Sequence, residues 1–195
     1  MVYALLRHGQ TDWNVLGRVQ GITDIPLNDV GRAQAAEAAA LLAAQRDAGE
    51  ATWAAVVSSP LVRARETAQI IADRLGLDLG PAYGEWREQD YGIGEGMIAT
   101  DLWAAWPGWD QPGKEHDDEV VRRGLAALDR VYADYGDQDV IIVAHGNIIR
   151  YPLNRLVDRV LDDMANTSSA TVRFTDGRWQ VLRTHERTIG VELEP

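Results

Sequence analysis

Cysteine is absent from this chain of 195 residues, and so are long apolar stretches. Without cysteine the chain has no disulfide, no thiolate ligand for a metal and no thiol nucleophile. No stretch approaches the roughly 18 uncharged apolar residues that a membrane-spanning helix needs. We therefore expect a protein that does not cross a membrane and whose fold is held by its core rather than by cross-links.

Positive charge is also scarce, and arginine carries almost all of it. Asp and Glu total 30 against 19 for Lys and Arg, which gives a net charge of −11, and Lys114 is the only lysine. Binding to nucleic acid or to an anionic membrane needs a basic surface, so this balance argues against both partners. The net charge of the whole chain also argues against an anionic substrate.

Length and composition are those of one ordinary globular domain. Apolar residues make up 46% of the chain and charged residues 25%, which suits a single buried core. No linker, repeat or low-complexity segment divides the sequence, and we predict a single domain over residues 1–195. Arg7 and His8 interrupt the apolar N-terminal run too early for a secretory signal, so we expect a cytoplasmic protein.

Apolar runs alternate with helical patterns along the chain. Residues 2–6, 54–57 and 140–144 are typical of strands buried in a parallel sheet. Helices are predicted over 28–44, from a cap at 58–60 to about 75, over 118–135 and after 147, with a terminal hairpin of 171–174 and 179–183. We predict an α/β three-layer sandwich: a largely parallel mixed sheet, helices on both faces, and a small cap insertion over about 80–117.

Polar residues follow three of the predicted strands. Arg7 and His8 end the first strand, residues 58–63 follow the second, and residues 145–147 follow the third. The carboxyl ends of parallel strands form the ligand-binding edge of an open sheet, and the helix N-termini there favour anions. Because guanidinium groups match phosphate oxygens bidentately, the pattern predicts a phosphate site.

Each of these residues also has a structural explanation when it is taken alone. A single histidine at a strand end is more often structural than catalytic, and an Arg-His pair in a loop is usually solvated. Arg63 lies one turn into a predicted helix, where Glu66 and Glu37 are candidate ion-pair partners. The shared position after three apolar strands, rather than any one residue, favours the phosphate site.

Five motifs in this sequence resemble, in order, those of the histidine phosphatase superfamily, also called the phosphoglycerate mutase-like family. A bare Arg-His-Gly would be a weak signal, but five ordered motifs from residue 5 to about 150 are specific. They are LRHGQTDWN at 6–14, QG at 20–21, PLN at 26–28 with Gly31, Gln34 and Ala35, SSPLVRA at 58–64 with Thr67 and Ala68, and VAHG at 143–146.

The resemblance implies a phosphohistidine mechanism that needs no metal and no other cofactor. It implies that His8 is the nucleophile and that Arg7, Arg63 and His145 surround the phosphate oxygens. The two arginines disfavour protonation of His8, as a nucleophile requires. Further phosphate and substrate contacts are implied for Asn14, Gln20, Gly21 and Gly146.

The proton donor to the leaving group has three candidates in the sequence, Glu85, Glu88 and Asp90. The phosphatase branch of the family shows the pattern Leu-x-Glu-x-x-Phe/Tyr-Gly-x-x-Glu-Gly. Residues 86–96 fit this pattern with Glu88 as the acid, whereas Glu85 misses the spacing by three residues. The resemblance therefore implies that Glu88 is the acid.

The resemblance weakens in the predicted cap. Family members often carry Trp where this chain has Gly94, which predicts a looser loop. Where the family has a Pro-Gly-Gly-Glu-Ser motif, this chain carries Lys114 and His116 in place of Gly and Ser. These two residues are either specificity residues or part of a solvated turn. Four tryptophans either stack on the leaving group or form the core of the cap: Trp86, Trp103, Trp106 and Trp109.

Charge in the predicted cap separates two enzyme classes. Residues 89–121 hold one cation against eight acids, which suits a doubly anionic glycerate poorly, and the RVQG sequence at 18–21 resembles the phosphatase branch. We predict a phosphatase acting on a small phosphorylated metabolite, with a cofactor-dependent phosphoglycerate mutase as the alternative. A catalytically inactive phosphate-binding protein is a third hypothesis, but it predicts loss of a site residue and none is lost. The natural substrate and the oligomeric state stay open, a homodimer being one candidate.

Overall fold

A computed structural model describes residues 1–185 of the chain, which fold around one six-stranded sheet. The strands are Tyr3–Arg7 (β1), Trp53–Ser58 (β2), Leu79–Ala82 (β3), Asp139–Ala144 (β4), Ser169–Thr175 (β5) and Arg178–Arg183 (β6). Their order is β3-β2-β4-β1-β5-β6. The first four strands are parallel, and β5 and β6 are antiparallel. The prediction of a largely parallel, mixed sheet is confirmed.

Helices cover both faces of this sheet. They are Asp12–Val15 (α1), Asp29–Asp47 (α2), Val62–Leu75 (α3), Ala99–Ala105 (α4), Asp117–Tyr135 (α5) and Gly146–Val157 (α6). Side chains alternate along a strand, so Leu5 packs with α5 and α6 while Leu6 packs with α2 and α3. The two resulting cores confirm the three-layer sandwich. Within residues 1–185, no helix is both long and apolar enough to cross a bilayer.

The larger differences from the sequence prediction are the start of α3 and an additional strand. The prediction that Ser58 to Pro60 cap α3 is wrong: Ser58 ends β2, and the helix begins at Val62 after an N-cap at Leu61. Ser59 is held elsewhere, because its N–H donates to the carbonyl of Val143 at 2.9 Å. The short edge strand β3 lies inside the start of the predicted insertion and was missed. Its Gly-Pro sequence is a weak strand signal that only a sheet edge tolerates.

The remaining segment of the predicted insertion, residues 83–116, forms a cap over the carboxyl edge of the sheet. It contains two 3-10 turns, Gly84–Trp86 and Gly92–Gly94, followed by α4. Trp86 is only 1% exposed and belongs to the core between the sheet and α5. This tryptophan therefore fastens the cap to the domain rather than filling a separate cap core.

Candidate active site

The sheet order brings the three polar strand ends side by side. Because β4 lies between β2 and β1, the residues after all three strands meet at one edge. The N–H of His8 donates to the carbonyl of Ala144 at 3.0 Å, which ties the end of β1 to the end of β4. His8, Arg63 and His145 are thus collected in one buried cluster, with 3%, 0% and 0% exposure.

Hydrogen bonds define the protonation state of His8. Its Nδ1 lies 2.7 Å from the carbonyl oxygen of Gly9, which can only accept, so Nδ1 carries the proton. Its Nε2 lies 3.3 Å from Nε of Arg63, which can only donate, so Nε2 keeps its lone pair. Burial lowers the pKa of His8 well below its usual value, and the positive charges of Arg63 and Arg7 lower it further. The ring is therefore neutral, with a nucleophilic lone pair on Nε2.

All three kinds of nitrogen of the Arg63 guanidinium are engaged. Nη1 donates to the carbonyl of Thr23 at 2.9 Å, Nη2 to that of Gly21 at 2.7 Å, and Nε faces His8. Burial lowers the pKa of Arg63 to about 10, so it stays charged at neutral pH. It forms none of the ion pairs considered from the sequence, because Glu66 pairs with Arg32 instead.

Two buried nitrogen atoms beside this cluster have no hydrogen-bond partner among residues 1–185: Nε of Arg7 and Nδ1 of His145. Nη1 of Arg7 donates to the carbonyl of Met164, and Nε2 of His145 lies 2.8 Å from Oγ of Ser59. The rings of His145 and His8 are 5.1 Å apart. Burial, then the charge of Arg63, lowers the pKa of His145 well below its usual value. Unpaired buried polar atoms of this kind are rare and suit an anionic guest.

Glu88 is the one candidate acid that lines the same cleft. Its carboxylate accepts from the N–H groups of Gln89 at 2.9 Å, Ile148 at 3.1 Å and Asn147 at 3.2 Å. The last two belong to the first turn of α6, whose N–H groups have no partner within the helix and are available to Glu88. A Cβ on Gly146 would lie 3.7 Å from Oε2 of Glu88 and 3.9 Å from Nε of Arg7. Glu88 and Arg7 thus lie on either side of Gly146, where no side chain separates them.

The loop that carries Glu88 is held by Arg123 of α5, which the sequence analysis did not identify. Its guanidinium donates to the carbonyls of Glu85 at 2.7 Å and Arg87 at 2.6 Å. The same group forms a two-nitrogen ion pair with Glu115 at 2.7 and 2.9 Å. An isolated arginine in a helical pattern carries no sequence signal for this role.

The other expected binding residues occupy two different places. Asn14 and Gln20 line the cleft, and Asn14 Oδ1 accepts from the N–H of Thr11 at 3.1 Å. Gly21 does not line the cleft: its carbonyl holds Arg63 instead. A side chain on Gly21 would place its Cβ 2.6 Å from the backbone carbonyl oxygen of Gln89, so glycine is required for close packing.

The remaining motif residues support the loop after His8. The N–H of Gly9 donates to Oγ1 of Thr67 at 3.1 Å, and that hydroxyl donates to the carbonyl of Arg63 at 2.8 Å. A Cβ on Gly9 would lie 2.3 Å from the carbonyl oxygen of Gly31. These contacts link the β1 loop to α2 and α3, and so they position His8 relative to Arg63.

A cleft of about 630 Å³ is lined by Arg7, next to His8 in the chain, and by Gly146, next to His145, whereas His8, Arg63 and His145 themselves are not among its lining residues. Arg7, Glu88 and Gly146 lie in its wall, and Lys114 lines it while its Nζ contacts Asp117 at 2.7 Å. His116 is exposed and outside the cleft. Apolar side chains and glycines form part of the lining: Gly17, Val19, Ala99, Gly108 and Met164. The other lining residues are polar or aromatic: Asn14, Arg18, Gln20, Gln89, Tyr91, Trp109, Asp117, Asn147, Arg150, Tyr151, Asp163 and Asn166.

Gly94 is buried rather than part of a loose loop. Its N–H donates to the carbonyl of Tyr91 at 3.0 Å. A Cβ at this position would lie 2.8 Å from Cδ2 of Leu102, so α4 occupies the space that a larger side chain would need. The neighbouring Glu95 binds the N–H groups of Ile22 and Thr23 at 2.8 and 2.7 Å, which fastens the cap to the segment that holds Arg63.

Comparison with known proteins identifies the family of the chain. Residues 3–187 match the family model of the histidine phosphatase superfamily (branch 1). An uncharacterized phosphatase, PhoE, of Bacillus subtilis is 34% identical over 91% of this chain and 90% of its own length. A metal-independent phosphoserine phosphatase of Arabidopsis thaliana is 29% identical over 90% of this chain and 77% of its own.

Solved structures show the same fold. A mycobacterial glucosyl-3-phosphoglycerate phosphatase in complex with VO3 superimposes with a TM-score of 0.80 at 30% identity, covering 92% of this chain and 96% of that one. The family match extends over nearly all of the sequence and includes each motif named above. The chain therefore belongs to the histidine phosphatase superfamily, branch 1.

Proposed function

We propose that this protein is a phosphatase that hydrolyses small phosphomonoesters through a phosphohistidine on His8. One observation carries the proposal: His8 is held neutral, with its Nε2 lone pair against Arg63 in a cluster that also contains Arg7. A nitrogen that accepts a phosphoryl group needs an unprotonated lone pair to bond to phosphorus. The site also needs fixed positive charge to stabilise the negative phosphate oxygens. The phosphatase names of the relatives support the hydrolase class.

The reaction would proceed in two steps. In the first, Nε2 of His8 bonds to phosphorus as the bond to the ester oxygen breaks, and Glu88 gives its proton to that oxygen. In the second, water attacks phosphorus and gives a proton to Glu88, and the N–P bond breaks to release inorganic phosphate. The first step requires a proton on Glu88, because the leaving oxygen takes one from it.

The positive charge for this chemistry is supplied by the chain itself. Arg7 offers its unpaired Nε to a phosphate oxygen, His145 offers its unpaired Nδ1, and Arg63 adds a fixed charge behind His8. Within residues 1–185, no three His, Cys, Asp or Glu side chains gather as a metal site. We therefore propose a reaction that needs no metal, with the net charge of −11 offset by a local cluster of cations.

The mutase alternative differs only in the fate of the phosphohistidine. A mutase would return the phosphoryl group to a bound glycerate, whereas a phosphatase passes it to water. The acidic excess over residues 89–121 disfavours a doubly anionic glycerate. A direct comparison of phosphate release and 3-phosphoglycerate isomerisation, with bisphosphoglycerate present, separates the two.

The decisive experiment replaces the nucleophile. A panel of phosphomonoesters is assayed for phosphate release by the wild-type protein, with and without EDTA, and by His8→Asn. We expect turnover that EDTA leaves unchanged and that His8→Asn lowers by a factor on the order of 10⁴ or more. His116→Asn is the matched control, because His116 is exposed and outside the cleft.

Three results would contradict the proposal. Undiminished turnover by His8→Asn would exclude the phosphohistidine. Loss of turnover in EDTA would exclude the metal-free reaction. Rapid isomerisation of 3-phosphoglycerate with little phosphate release would favour the mutase.

A further inference from the structure

Trp109 occupies a backbone conformation that a bulky residue rarely adopts. Its φ is +61°, directly after Gly108 at +89°, and its N–H donates to the carbonyl of Trp106 at 3.0 Å. Glycine or asparagine fits such a turn at little cost, whereas a bulky side chain there is strained. Strained backbone conformations of this kind cluster at functional sites, where the side chain contributes to binding or catalysis.

Packing does not account for the indole ring. Trp109 is only partly buried, and its neighbour Trp103, with ring centroids 6.4 Å apart, is itself 51% exposed. Neither ring belongs to the two cores of the domain. Trp109 lines the cleft that contains Glu88, and Trp103 does not.

An unbroken set of contacts joins Trp109 to the candidate acid. The rings of Trp109 and Tyr91 meet edge to face with centroids 6.1 Å apart. The Tyr91 hydroxyl accepts from the side-chain amide of Asn147 at 2.5 Å, and the N–H of Asn147 donates to Glu88 at 3.2 Å. Glu88, Tyr91 and Trp109 all line the one cleft, so a leaving group whose oxygen meets Glu88 would share that cleft with both rings.

The rest of the cleft suits a ring with polar edges. Gln89 and Lys114 both contact Asp117, at 2.8 and 2.7 Å, and all three line the cleft with hydrogen-bonding groups. Flat aromatic faces pack on flat apolar faces, and the surrounding polar groups bind substituents at the ring edge. The volume of about 630 Å³ falls within the range that encloses a small cyclic molecule.

We infer that Trp109 is the stacking residue of a leaving-group subsite that selects phosphomonoesters of ring-shaped alcohols over open-chain ones. This inference rests on the proposed function for the position of the leaving group. The shared chemistry is a ring with one apolar face, which either a sugar ring or an aryl ring supplies. Binding, rather than turnover, tests the inference separately from the proposed reaction.

The test measures dissociation constants by calorimetry in the His8→Asn background, in which bound ester is not turned over. The probes are a hexopyranose phosphate and an aryl phosphate as ring esters, with glycerol 3-phosphate and phosphoserine as open-chain esters. Adding Trp109→Gly should weaken ring esters by roughly three- to tenfold, the size of one aromatic contact, and open-chain esters by less than twofold. Trp109→Phe should restore most of the difference.

Controls separate this outcome from a folding defect. Glycine relieves the strain at φ +61°, so Trp109→Gly should unfold at a urea concentration no lower than that of the background protein. Trp103→Ala, in the same segment but outside the cleft, should leave the ring preference unchanged.

Equal weakening of both ester classes, no weakening of ring esters, or no binding of either class would overturn the inference. Weakening of only the sugar or only the aryl ester would support it and identify the ring. If wild-type protein fails to release phosphate while the binding preference is found, the proposed reaction is wrong and the subsite stands.

Discussion

The two buried histidines should make the protein less stable as the pH falls below neutrality. Burial and neighbouring arginines lower the pKa of both His8 and His145 well below 6.5 in the folded protein. In the unfolded chain both return to an ordinary value of about 6.5. Protons therefore bind the unfolded state first, and the stabilising contribution, complete above pH 6.5, is lost as the pH falls from there toward the folded pKa.

The size of this effect follows from proton linkage. Between pH 7.5 and 5.5, a histidine that stays neutral when folded and has a pKa of about 6.5 when unfolded costs about 1.4 kcal/mol. For both histidines the loss is about 2.7 kcal/mol, a large part of the roughly 5–15 kcal/mol that stabilises a typical domain. Carboxylates also contribute to pH dependence, so variants are needed to isolate the histidine share.

The assay is urea unfolding at pH 7.5 and 5.5 in phosphate-free buffer, because bound phosphate would stabilise the folded state. His8→Asn and His145→Asn should each reduce the pH-dependent loss by about 1.4 kcal/mol, and the double variant by about twice that. His116→Asn serves as the matched control, since its exposed ring is solvated in both states. An unchanged loss in the double variant would refute the reasoning, as would imidazolium signals of His8 or His145 in NMR spectra at pH 5.5.

Two further variants test the acid and the loop. Glu88→Gln should slow hydrolysis of alkyl phosphates by roughly 10²–10⁴-fold but affect 4-nitrophenyl phosphate far less, because nitrophenolate leaves without a proton. Glu85→Gln, outside the cleft, is its control, and equal slowing of both esters would argue against the acid role. Gly9→Ala should destabilise the protein by roughly 1–3 kcal/mol, because its Cβ would lie 2.3 Å from the Gly31 carbonyl. Gly84→Ala has open space around its Cβ, and a loss of stability as large as that of Gly9→Ala would contradict this explanation.

The sequence predicts the architecture correctly wherever the local residue pattern favours the same element as packing in the sheet does. The apolar runs at 2–6 and 140–144 can be satisfied only between two helical layers, and they became β1 and β4. The strand β3 was not readable, because a Gly-Pro edge strand is stabilised by its pairing with β2 and not by its own residues. The start of α3 was misplaced because Ser59 bonds to β4 and His145, contacts distant in sequence.

The candidate site was readable where motifs mark strand ends, and unreadable where support comes from distant elements. His8, Arg63 and His145 follow three strands that the topology makes neighbours. Arg123 and Asn166 bear no local signal, although the first binds the carbonyls before Glu88 and the second donates to the carbonyl of His8 at 3.0 Å. Such contacts join segments that are distant in sequence, and local periodicity does not encode them.

The placement of Arg63 has a consequence for the proposed phosphoryl transfer. Nη1 and Nη2 are held by two backbone carbonyls, so the guanidinium cannot swing toward a new partner without breaking both bonds. In the proposed reaction Nε2 of His8 loses its lone pair when it bonds to phosphorus, so Nε of Arg63 would lose His8 as an acceptor. A phosphoryl oxygen would be a new acceptor for this N–H, and the charge of Arg63 would stay in place through the transfer.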